Sequence, residues 1–362
     1  MYKRALEVLK IFEDNGYSAY IVGGYVRDFC LNIESCDIDI CTSARPYEII
    51  KIFDTVFTSD INYGSVKIVY KKYKYDITTF RKEIKYENNR KPVKIKYIND
   101  LKKDLLRRDF TVNTLCMDSS GNIIDLLGAM EDLDNKVIKT VGSPRYKIKE
   151  DSLRILRSIR FASNLGFRID DKTKHYLRKY GYLLRKLSVN RKRSELDKLF
   201  ASVNKNVGRD LLISLKLDKY LDLNNLSSIV MCDNIIGIWS QLNVDDIYPF
   251  TKLEREQMKK IRFMLEEGIN SYTIYKYGLY ISTIVGDILD FDLKDINKIY
   301  HNLAIYSRTD IKIKPLEIAN ILGKEPGSYI KDIISDLEEN IVNNRLNNDY
   351  DDIKNYIKEK YL

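Results

Sequence analysis

Two aspartates separated by a single residue, Asp37 and Asp39, are the side chains of this sequence best suited to binding a metal ion. They lie in the segment DIDICT (37–42), whose alternation of acidic and apolar residues predicts a strand with both carboxylates on one face. Two like charges so close repel each other, and Mg²⁺ ions bound by the carboxylates and by substrate phosphates would remove that repulsion. Asp76, in the later alternating segment KYDITTF, could supply a third carboxylate across the sheet. The pattern predicts a catalytic Mg²⁺ site with Asp37 and Asp39 as ligands and Asp76 beside them.

A pair of glycines, Gly23 and Gly24, lies between an apolar run (19–22) that predicts a buried strand and a segment (25–31) that predicts a helix. The backbone of such a turn can approach a triphosphate closely, and the N–H groups at the start of the following helix can bind phosphate oxygens. Arg27 would add a charge-assisted contact. A glycine pair or an Asp-x-Asp motif alone is not specific, but their combination on a strand–helix–strand background fits nucleotidyl transfer.

The positive charge of the chain is concentrated in one segment. The whole chain carries a net charge of +9. Between Arg145 and Arg193 there are 16 Lys/Arg against 4 Asp/Glu, a local net of +12, so the rest of the chain nets −3. Such a distribution is typical of a nucleic-acid-binding surface, although a solvated helical face would show the same excess.

Composition excludes several other classes of protein. The five cysteines form no CxxC pair and there are only two histidines, which disfavours a zinc site or a disulfide framework and indicates reduced thiols. The N-terminal segment is charged throughout, unlike a signal peptide, and no run reaches the ~18 apolar residues of a membrane span. We expect a cytoplasmic protein that does not enter a membrane, and no protein partner is implied.

The predicted fold is an α/β head with a small sheet, followed by an all-α remainder. Within the head, the alternating residues 64–80, with a polar break near 71–74, predict a hairpin. After Pro144 the apolar spacing becomes helical, as in residues 153–165 and 176–187. We predict three parts: a head over 1–142, a helical neck over 143–205, and a helical body and tail over 206–362. The polar last twenty residues are expected to fray.

Five motifs in the same order resemble one known family. They are IVGGYVRD with DIDICT, then DITTFRKEIKYENNRKP, then DLLRRDFTVNTL (104–115), then KEDSLRILRSIRFASNLGF (149–167) and finally SVNRKRSEL (188–196). Together they resemble the signature of the tRNA nucleotidyltransferase and bacterial poly(A) polymerase family, within the DNA polymerase β-like nucleotidyltransferases. The resemblance covers roughly residues 18–200, and beyond them only general helical character matches.

The resemblance implies several nucleotide-binding residues. Arg108 and Asp109 would contact the ribose and phosphates of the incoming nucleotide, with Asp109 accepting a hydrogen bond from the 2′-hydroxyl. Arg157 and Arg160, at three-residue spacing, would make further nucleotide contacts; exposure to solvent or contact with tRNA phosphates is the alternative for both. In this family the third carboxylate is often Glu, whereas here it is Asp76.

The same resemblance makes Asp151 and Arg154 a template that selects the base. A carboxylate can accept a hydrogen bond from the exocyclic amine of cytosine or adenine, and a guanidinium can donate to their ring nitrogens or to cytosine O2. Uracil and guanine place a carbonyl where the amine should be, which leaves buried acceptors unpaired. The plainer interpretation is an ion pair between neighbours three residues apart on one helix. Glu150 would orient Arg154 or Arg157, or cap the helix.

The implied activity is the addition of C, C and A to tRNA 3′ ends from CTP and ATP, without a nucleic-acid template, by nucleotidyl transfer that uses two Mg²⁺ ions. The intact segment before RRDFT, including YENNRKP (86–92), disfavours enzymes that stop after two cytidines. A poly(A) polymerase and an enzyme that adds only A remain alternatives, as does a non-catalytic RNA-binding relative. One departure from the family is Ala129, at a position that is usually glycine in a loop implied to act in reorienting the head.

Overall fold

The computed structural model describes residues 1–87 and 91–362, with the backbone alone for residues 83–87 and 91–94. The centre of the YENNRKP segment, residues 88–90, lies outside the described residues. The chain divides into two compact units, Met1–Ser227 and Ser228–Leu362. The three-part division expected from the sequence, with boundaries after 142 and 205, stays a prediction.

All strands of the described chain belong to the first unit. They are β1 (Ala19–Val22), β2 (Asp39–Thr42), β3 (Val56–Phe57), β4 (Ser65–Tyr70), β5 (Tyr73–Thr79), β6 (Arg81–Glu87), β7 (Lys91–Tyr97), β8 (Cys116–Met117), β9 (Ile123–Ile124), β10 (Val137–Ile138) and β11 (Arg168–Ile169).

The helices of the first unit surround and follow this sheet region. They are α1 (Tyr2–Asp14), α2 (Gly24–Cys30), α3 (Pro46–Ile52), α4 (Leu101–Leu105), α5 (Ala129–Asp134), α6 (Pro144–Glu150), α7 (Leu153–Leu165), α8 (Asp171–Lys179), α9 (Val189–Phe200) and α10 (Lys205–Ser214). An α/β head followed by helices is the predicted fold class, and the structure confirms it.

The main sheet has seven strands in the order β3-β4-β5-β2-β1-β8-β9. Strand β2 is central and runs parallel to β5, with Asp39 opposite Asp76. Strands β4 and β5 form the predicted hairpin, and its turn places Lys71 and Lys72 at positive φ. Thus the sheet brings the Asp-x-Asp segment and the candidate third carboxylate side by side.

The strand β2 begins at Asp39, two residues later than the alternating pattern predicts. The alternation itself continues through the preceding residues, because Ile38 and Ile40 are buried whereas Asp37 and Asp39 are exposed. Both carboxylates therefore lie on the same side of the chain, as expected from the period of two.

Two local features depart from the sequence expectations after residue 120. The all-helical prediction missed β11, which pairs in parallel with β10; a two-residue strand has no periodicity to detect. Gly128 takes the left-handed conformation (φ +73°) at the start of α5, and Asp125 accepts hydrogen bonds from the N–H groups of Ala129 and Met130. The left-handed residue of this turn is thus Gly128, and Ala129 is the first residue of the helix.

The second unit consists of helices among its described elements. They are α11 (Ile235–Leu242), α12 (Lys252–Glu267), α13 (Ser271–Leu289), α14 (Leu293–His301), α15 (Pro315–Leu322), α16 (Tyr329–Val342) and α17 (Tyr350–Tyr361). Helix α13 is kinked at Gly278, whose backbone is not helical (φ +81°, ψ 162°). No helix in the described ranges has the length and apolar character needed to cross a membrane.

The expected fraying of the last residues is wrong. Asp349 caps the start of α17 by accepting from the N–H groups of Asp351 and Asp352. Ile353 and Ile357 are fully buried in the core of the second unit. Because the apolar positions recur at helical spacing within a polar sequence, this helix is held by packing as well as by its cap.

Candidate active site

One cavity of about 810 Å³ in the first unit collects nearly all of the predicted site residues. Its lining contains nine arginine and lysine side chains against four aspartates. The charged lining residues are Asp37, Asp39, Asp109 and Asp151 together with Arg27, Arg81, Arg107, Arg108, Arg154, Arg157, Arg160, Arg191 and Lys198. Such an excess of positive charge suits a polyanionic ligand such as a nucleoside triphosphate.

The glycine turn forms one wall of this cavity. Gly23 has φ +84°, a left-handed conformation that residues with a Cβ rarely adopt, and Gly24 begins α2. Arg27, one turn further on, is buried. Its Nε and Nη2 donate to Asp28 at 2.8 and 2.6 Å, and its Nη1 donates to Asn113 at 2.6 Å.

Asp37 and Asp39 lie at the cavity surface, and Asp76 does not line it. Within the described residues neither Asp37 nor Asp39 makes a side-chain hydrogen bond or salt bridge, whereas Asp76 pairs with Lys67 at 3.1 Å. Desolvation, with Asp76 and Asp37 adding repulsion, raises the pKa of Asp39 although Arg108 opposes the rise. The described residues contain no group of three or more acidic, histidine or cysteine side chains placed to hold a metal ion.

A buried carboxylate, Asp104, organises the arginines of the RRDFT motif. Its Oδ1 accepts from Nε of Arg107 at 2.8 Å and from the backbone N–H of Arg81 at 3.0 Å. Its Oδ2 accepts from Nη2 of Arg108 at 3.4 Å. The Nε of Arg108 is buried without a hydrogen-bond partner in the described chain. Asp104 was not among the predicted site residues, although it lies on α4 only three and four residues before the two arginines, a spacing that signals such contacts.

Asp109 lies at the meeting point of the head and α7. Its Oδ2 accepts from Nε of Arg157 at 2.8 Å and also contacts Nη2 at 2.6 Å. Its Oδ1 accepts from the N–H of Phe110 at 2.8 Å and from Nδ2 of Asn113 at 3.2 Å. Burial opposes ionisation, but Arg157 and these hydrogen bonds together hold the pKa of Asp109 well below its usual range.

The plainer alternative for Asp151 and Arg154, an ion pair between neighbours on one helix, is wrong. Asp151 lies between α6 and α7 in extended conformation (φ −140°, ψ 104°), and its Oδ1 accepts from the N–H of Leu153. Burial raises the pKa of Asp151 to about 6, although Arg154 and Arg157 oppose the rise.

Arg154 is held instead by a separate set of contacts. Its Nη1 donates to Glu150 at 3.2 Å and to the carbonyl of Lys147 at 2.7 Å. Its Nη2 donates to the carbonyl of Arg107 at 3.2 Å. Glu150 thus contacts Arg154, one of its two predicted partners, and the guanidinium is fixed at the cavity wall that Asp151 also lines.

The ring of Phe161 is surrounded by three of the predicted arginines. The guanidinium carbons of Arg27, Arg157 and Arg160 lie 5.3, 5.2 and 4.2 Å from its centroid. Positive charges favour such a position over an aromatic face. Arg160 also donates from Nε to Glu195 at 2.7 Å. Glu195 stands within the quoted motif SVNRKRSEL, but 35 residues separate it from Arg160, so local spacing does not identify the two as partners.

Of the predicted site residues, all except Asp76 line the cavity. The prediction missed Asn113, Phe161, Asp104 and Glu195, which contact the predicted residues. Asn113 and Phe161 themselves line the cavity, and both stand within the quoted motifs.

Three family models match consecutive parts of the chain. The model described as Poly A polymerase head domain matches residues 19–139, and the one described as probable RNA and SrmB-binding site of polymerase A matches 166–223. The model described as tRNA nucleotidyltransferase domain 2, putative, matches 250–357. The matches therefore extend well beyond the motif region into the second unit.

Known proteins and structures are similar over nearly the full chain. The CCA-adding enzyme of Anoxybacillus flavithermus is 32% identical over 392 aligned residues, covering 98% of this chain and 96% of that protein. The fold is similar to the crystal structure of the Bacillus stearothermophilus CCA-adding enzyme in complex with CTP (TM-score 0.86, 24% identity, covering 99% of this chain and 97% of that one). It is also similar to the Thermotoga maritima CCA-adding enzyme complexed with tRNA_CCA (TM-score 0.72, 20% identity, covering 100% and 95%).

Proposed function

This chain belongs to the family of CCA-adding enzymes and is a nucleotidyltransferase, and on that premise we propose that it adds C, C and A to tRNA 3′ ends from CTP and ATP without a nucleic-acid template. The observation that carries the proposal is the cationic cavity that gathers the glycine turn, Asp37 and Asp39, and the pair Asp151 and Arg154. Relatives whose structures contain CTP or tRNA support the choice of substrates.

The phosphates of the nucleotide would lie against the glycine turn. The Gly23-Gly24 backbone admits close approach, and Arg27 and Arg108 supply charge-assisted donors. Arg108 suits this role because its Nε has no protein partner within the described residues and its guanidinium is oriented by Asp104. An anion would therefore meet donors whose orientation is already fixed before it binds.

The donor set of Asp37 and Asp39 fits Mg²⁺, which prefers oxygen ligands and is commonly bound by one or two carboxylates plus substrate phosphates. Two Mg²⁺ ions bound there, the first held by Asp37 and Asp39, would favour ionisation of the attacking 3′-hydroxyl and stabilise charge on the triphosphate, respectively. Asp76 would join these ligands only by giving up its ion pair with Lys67. Its catalytic role stays a prediction.

Asp151 and Arg154 would read the edge of the base. At neutral pH most Asp151 carboxyls are ionised, because the pKa is about 6, and accept from the amine of cytosine or adenine. The contacts of Arg154 with Glu150 and with the Lys147 carbonyl hold its guanidinium in a defined orientation. A rigid pair of this kind rejects uracil and guanine, which would leave both carboxylate and carbonyl unpaired.

The ribose contact proposed for Asp109 needs an exchange of partners. A carboxylate has about four lone-pair sites, and Asp109 already accepts from Phe110, Asn113 and twice from Arg157. A ribose 2′-hydroxyl would have to replace or share one of these contacts. Arg157 is the partner best placed to release a contact, because it lines the cavity and retains 31% side-chain exposure.

The remaining helical parts would bind the acceptor end of tRNA. The segment Arg145–Arg193 carries the positive charge needed for phosphate contacts, which depend on shape and not on sequence. In the same proposal, the neck (143–205) selects the nucleotide and binds RNA, and the body and tail (206–362) bind tRNA. The proposed location is cytoplasmic.

The test uses a tRNA transcript that ends at the discriminator base, incubated with Mg²⁺ and CTP, ATP or both. Growth by three nucleotides with both, and by two with CTP alone, is the expected result. A long ladder with ATP alone would instead identify a poly(A) polymerase, and growth by one with ATP alone only on tRNA that already ends in CC would identify an A-adding enzyme. No incorporation by folded protein that binds tRNA would favour a non-catalytic relative.

A further inference from the structure

Asn113 is a nearly buried amide in the cavity wall that the activity described above does not use. It ends the 3₁₀ turn Thr111–Asn113 and retains 7% exposure. Its Oδ1 accepts from Nη1 of Arg27 at 2.6 Å, and its Nδ2 donates to Oδ1 of Asp109 at 3.2 Å. Through Asp109 the chain of contacts continues to Nε of Arg157 at 2.8 Å. Asn113 therefore joins a residue of α2 to a residue of α7.

The chemistry of the two partners explains why an amide stands here. A guanidinium only donates hydrogen bonds and an ionised carboxylate only accepts them. A group that bridges them must accept on one side and donate on the other, and it must carry no charge that repels either partner. Asn meets all three conditions at this length, and the opposite orientation of its amide would face donor to donor and acceptor to acceptor.

We propose that Asn113 is a positioning residue that holds Arg27 at a fixed distance from the Asp109–Arg157 pair, so that the triphosphate and the nucleoside are bound in register. The proposal rests on the proposed function, in which Arg27 contacts phosphates and Arg157 the nucleoside. Asn113 acts through these residues and not on the base, so its loss affects CTP and ATP alike. Selection against UTP and GTP, which depends on Asp151 and Arg154, is expected to remain.

The substitution Asn113→Asp tests the positioning role because it removes the hydrogen-bond donor toward Asp109, and protonation of the new carboxylate restores a donor. An ionised carboxylate at 113 can still accept from Arg27 but cannot donate to Asp109, which it repels. A protonated carboxyl has the same shape as the amide, with one oxygen that accepts and one O–H that donates.

The charged groups that face this position determine its titration. They are Arg27 and Asp28 on α2, Arg108 and Asp109 before the turn, and Arg157 on α7, while Asp132 of the adjoining α5 pairs with Lys139. The carboxylate pair formed with Asp109 favours retention of one proton, so the carboxyl at 113 is expected to titrate above the usual Asp value.

The experiment compares wild type, Asn113→Asp and Asn113→Ala in the full-length protein, using tRNA ending in CC with ATP and tRNA lacking CCA with CTP. At each pH between about 6 and 8.5, the kcat/KM of each variant is divided by that of wild type. A carboxyl with a raised pKa would change its protonation state in this range. Asn135→Asp, an exposed asparagine at the end of α5, controls for the added charge. Melting temperatures report folding.

Both variants are expected to lose about tenfold to a hundredfold in kcat/KM at pH 8, the loss typical of hydrogen bonds to charged groups. The Asn113→Asp ratio should rise as the pH falls, while the Asn113→Ala ratio stays flat. Wild-type kinetics in Asn113→Ala, or a pH-independent Asn113→Asp ratio in folded protein, would overturn the positioning role. An inactive wild type would instead count against the proposed function. The three proteins would then be compared by their affinity for CTP, measured by competition with a fluorescent nucleotide.

Discussion

Arg160 and Glu195 form an almost buried ion pair between α7 and α9, with 12% and 6% of the two side chains exposed and 2.7 Å between Nε and Oε2. The pair connects the helix that carries the cavity arginines to a helix that begins 24 residues after α7 ends. Because Glu195 neutralises Arg160 next to Phe161 and Arg157, it supports both the packing of these helices and the geometry of the cavity wall.

The first prediction concerns Glu195. Replacement by Ala leaves the Arg160 guanidinium buried without its carboxylate, which typically costs about 3–5 kcal/mol. Glu195→Gln keeps an acceptor and is expected to cost less. Urea unfolding of the full chain, followed by CD, measures the shift of the unfolding midpoint. Asp210→Asn, which removes an exposed carboxylate beside Arg209 in the same unit, serves as the control and should change stability little. Equal effects of Glu195→Ala and Asp210→Asn would contradict the prediction.

The second prediction concerns Asp39 as a proposed metal ligand. Asp39→Asn is expected to reduce nucleotide incorporation below detection while tRNA binding, measured by filter retention, is kept. Asp54→Asn, an exposed carboxylate outside the cavity lining, is the matched control. Incorporation by Asp39→Asn at the wild-type rate would remove this residue from the metal site.

A related comparison addresses Asp76. Its ion pair with Lys67 is about half exposed on both sides, so the pair itself contributes less than about 1 kcal/mol to stability. Loss of activity in Asp76→Asn without loss in Lys67→Met would therefore indicate a catalytic role for the carboxylate. Equal activity of both variants and wild type would leave Asp76 as a surface residue of the strand.

The third prediction concerns base selection and pH. Burial raises the pKa of Asp151 from 3.8 to about 6, so the carboxyl is ionised above pH 6 and protonated below it. A protonated carboxyl donates to the carbonyls of uracil and guanine, so incorporation of UMP relative to CMP is expected to rise as the pH falls through 6. Competition between labelled CTP and UTP at each pH provides the measurement. A ratio that does not change from pH 5.5 to 7.5, or one that falls, would argue against Asp151 as the acceptor.

The same shift has a consequence for stability. Because the folded-state pKa of Asp151 lies above its unfolded value, the favourable contribution is complete below the unfolded value of 3.8 and is lost as the pH rises through about 6. Asp151→Asn, which stays neutral, is expected to melt above wild type at pH 7.5 and close to it at pH 4. A lower melting temperature at pH 7.5 would show that the ionised carboxylate is stabilising in the folded protein.

The fourth prediction tests the last helix. Ile357 of α17 is fully buried, and Ile357→Ala is expected to cost about 2–5 kcal/mol of the stability of the second unit. Glu359→Ala, an exposed residue of the same helix, is the control. Hydrogen exchange of the α15 and α16 amides in the full chain reports the effect. Unchanged protection in Ile357→Ala would mean that α17 does not contribute to this core.

Elements with a clear period were predictable from the sequence. The hairpin β4–β5 follows from alternation, helix α7 from helical spacing and the glycine turn from the Gly-Gly pair, and each lies where it was expected. Gly23 has the positive φ that such a turn can require. The start of α17 was not anticipated, because its buried isoleucines are few and the stretch is mostly charged or polar. Burial of those two residues depends on other helices, which no local pattern reports.

The site was predictable as a set of residues but not as a set of contacts. The motifs identified Arg154 and Asp151, yet a break in the helix at Asp151 gave Arg154 a different partner, Glu150. The contacts of Asn113 with Arg27 and of Glu195 with Arg160 were missed because these partners lie 86 and 35 residues apart in the chain. Residue spacing predicts which side chains are neighbours within one helix or strand. Contacts between different elements can be identified only once the fold is known.

The carboxylate of Asp104 is shared by three donors of the head. The same carboxylate accepts from the backbone N–H of Arg81, where β6 begins, and from the side chains of Arg107 and Arg108. Asp104 therefore connects the first residue of β6 to two guanidinium groups that line the cavity. Because Asp104 is fully buried, its carboxylate is shielded from water, and its contacts hold the start of β6 and both arginines at the same wall of the cavity.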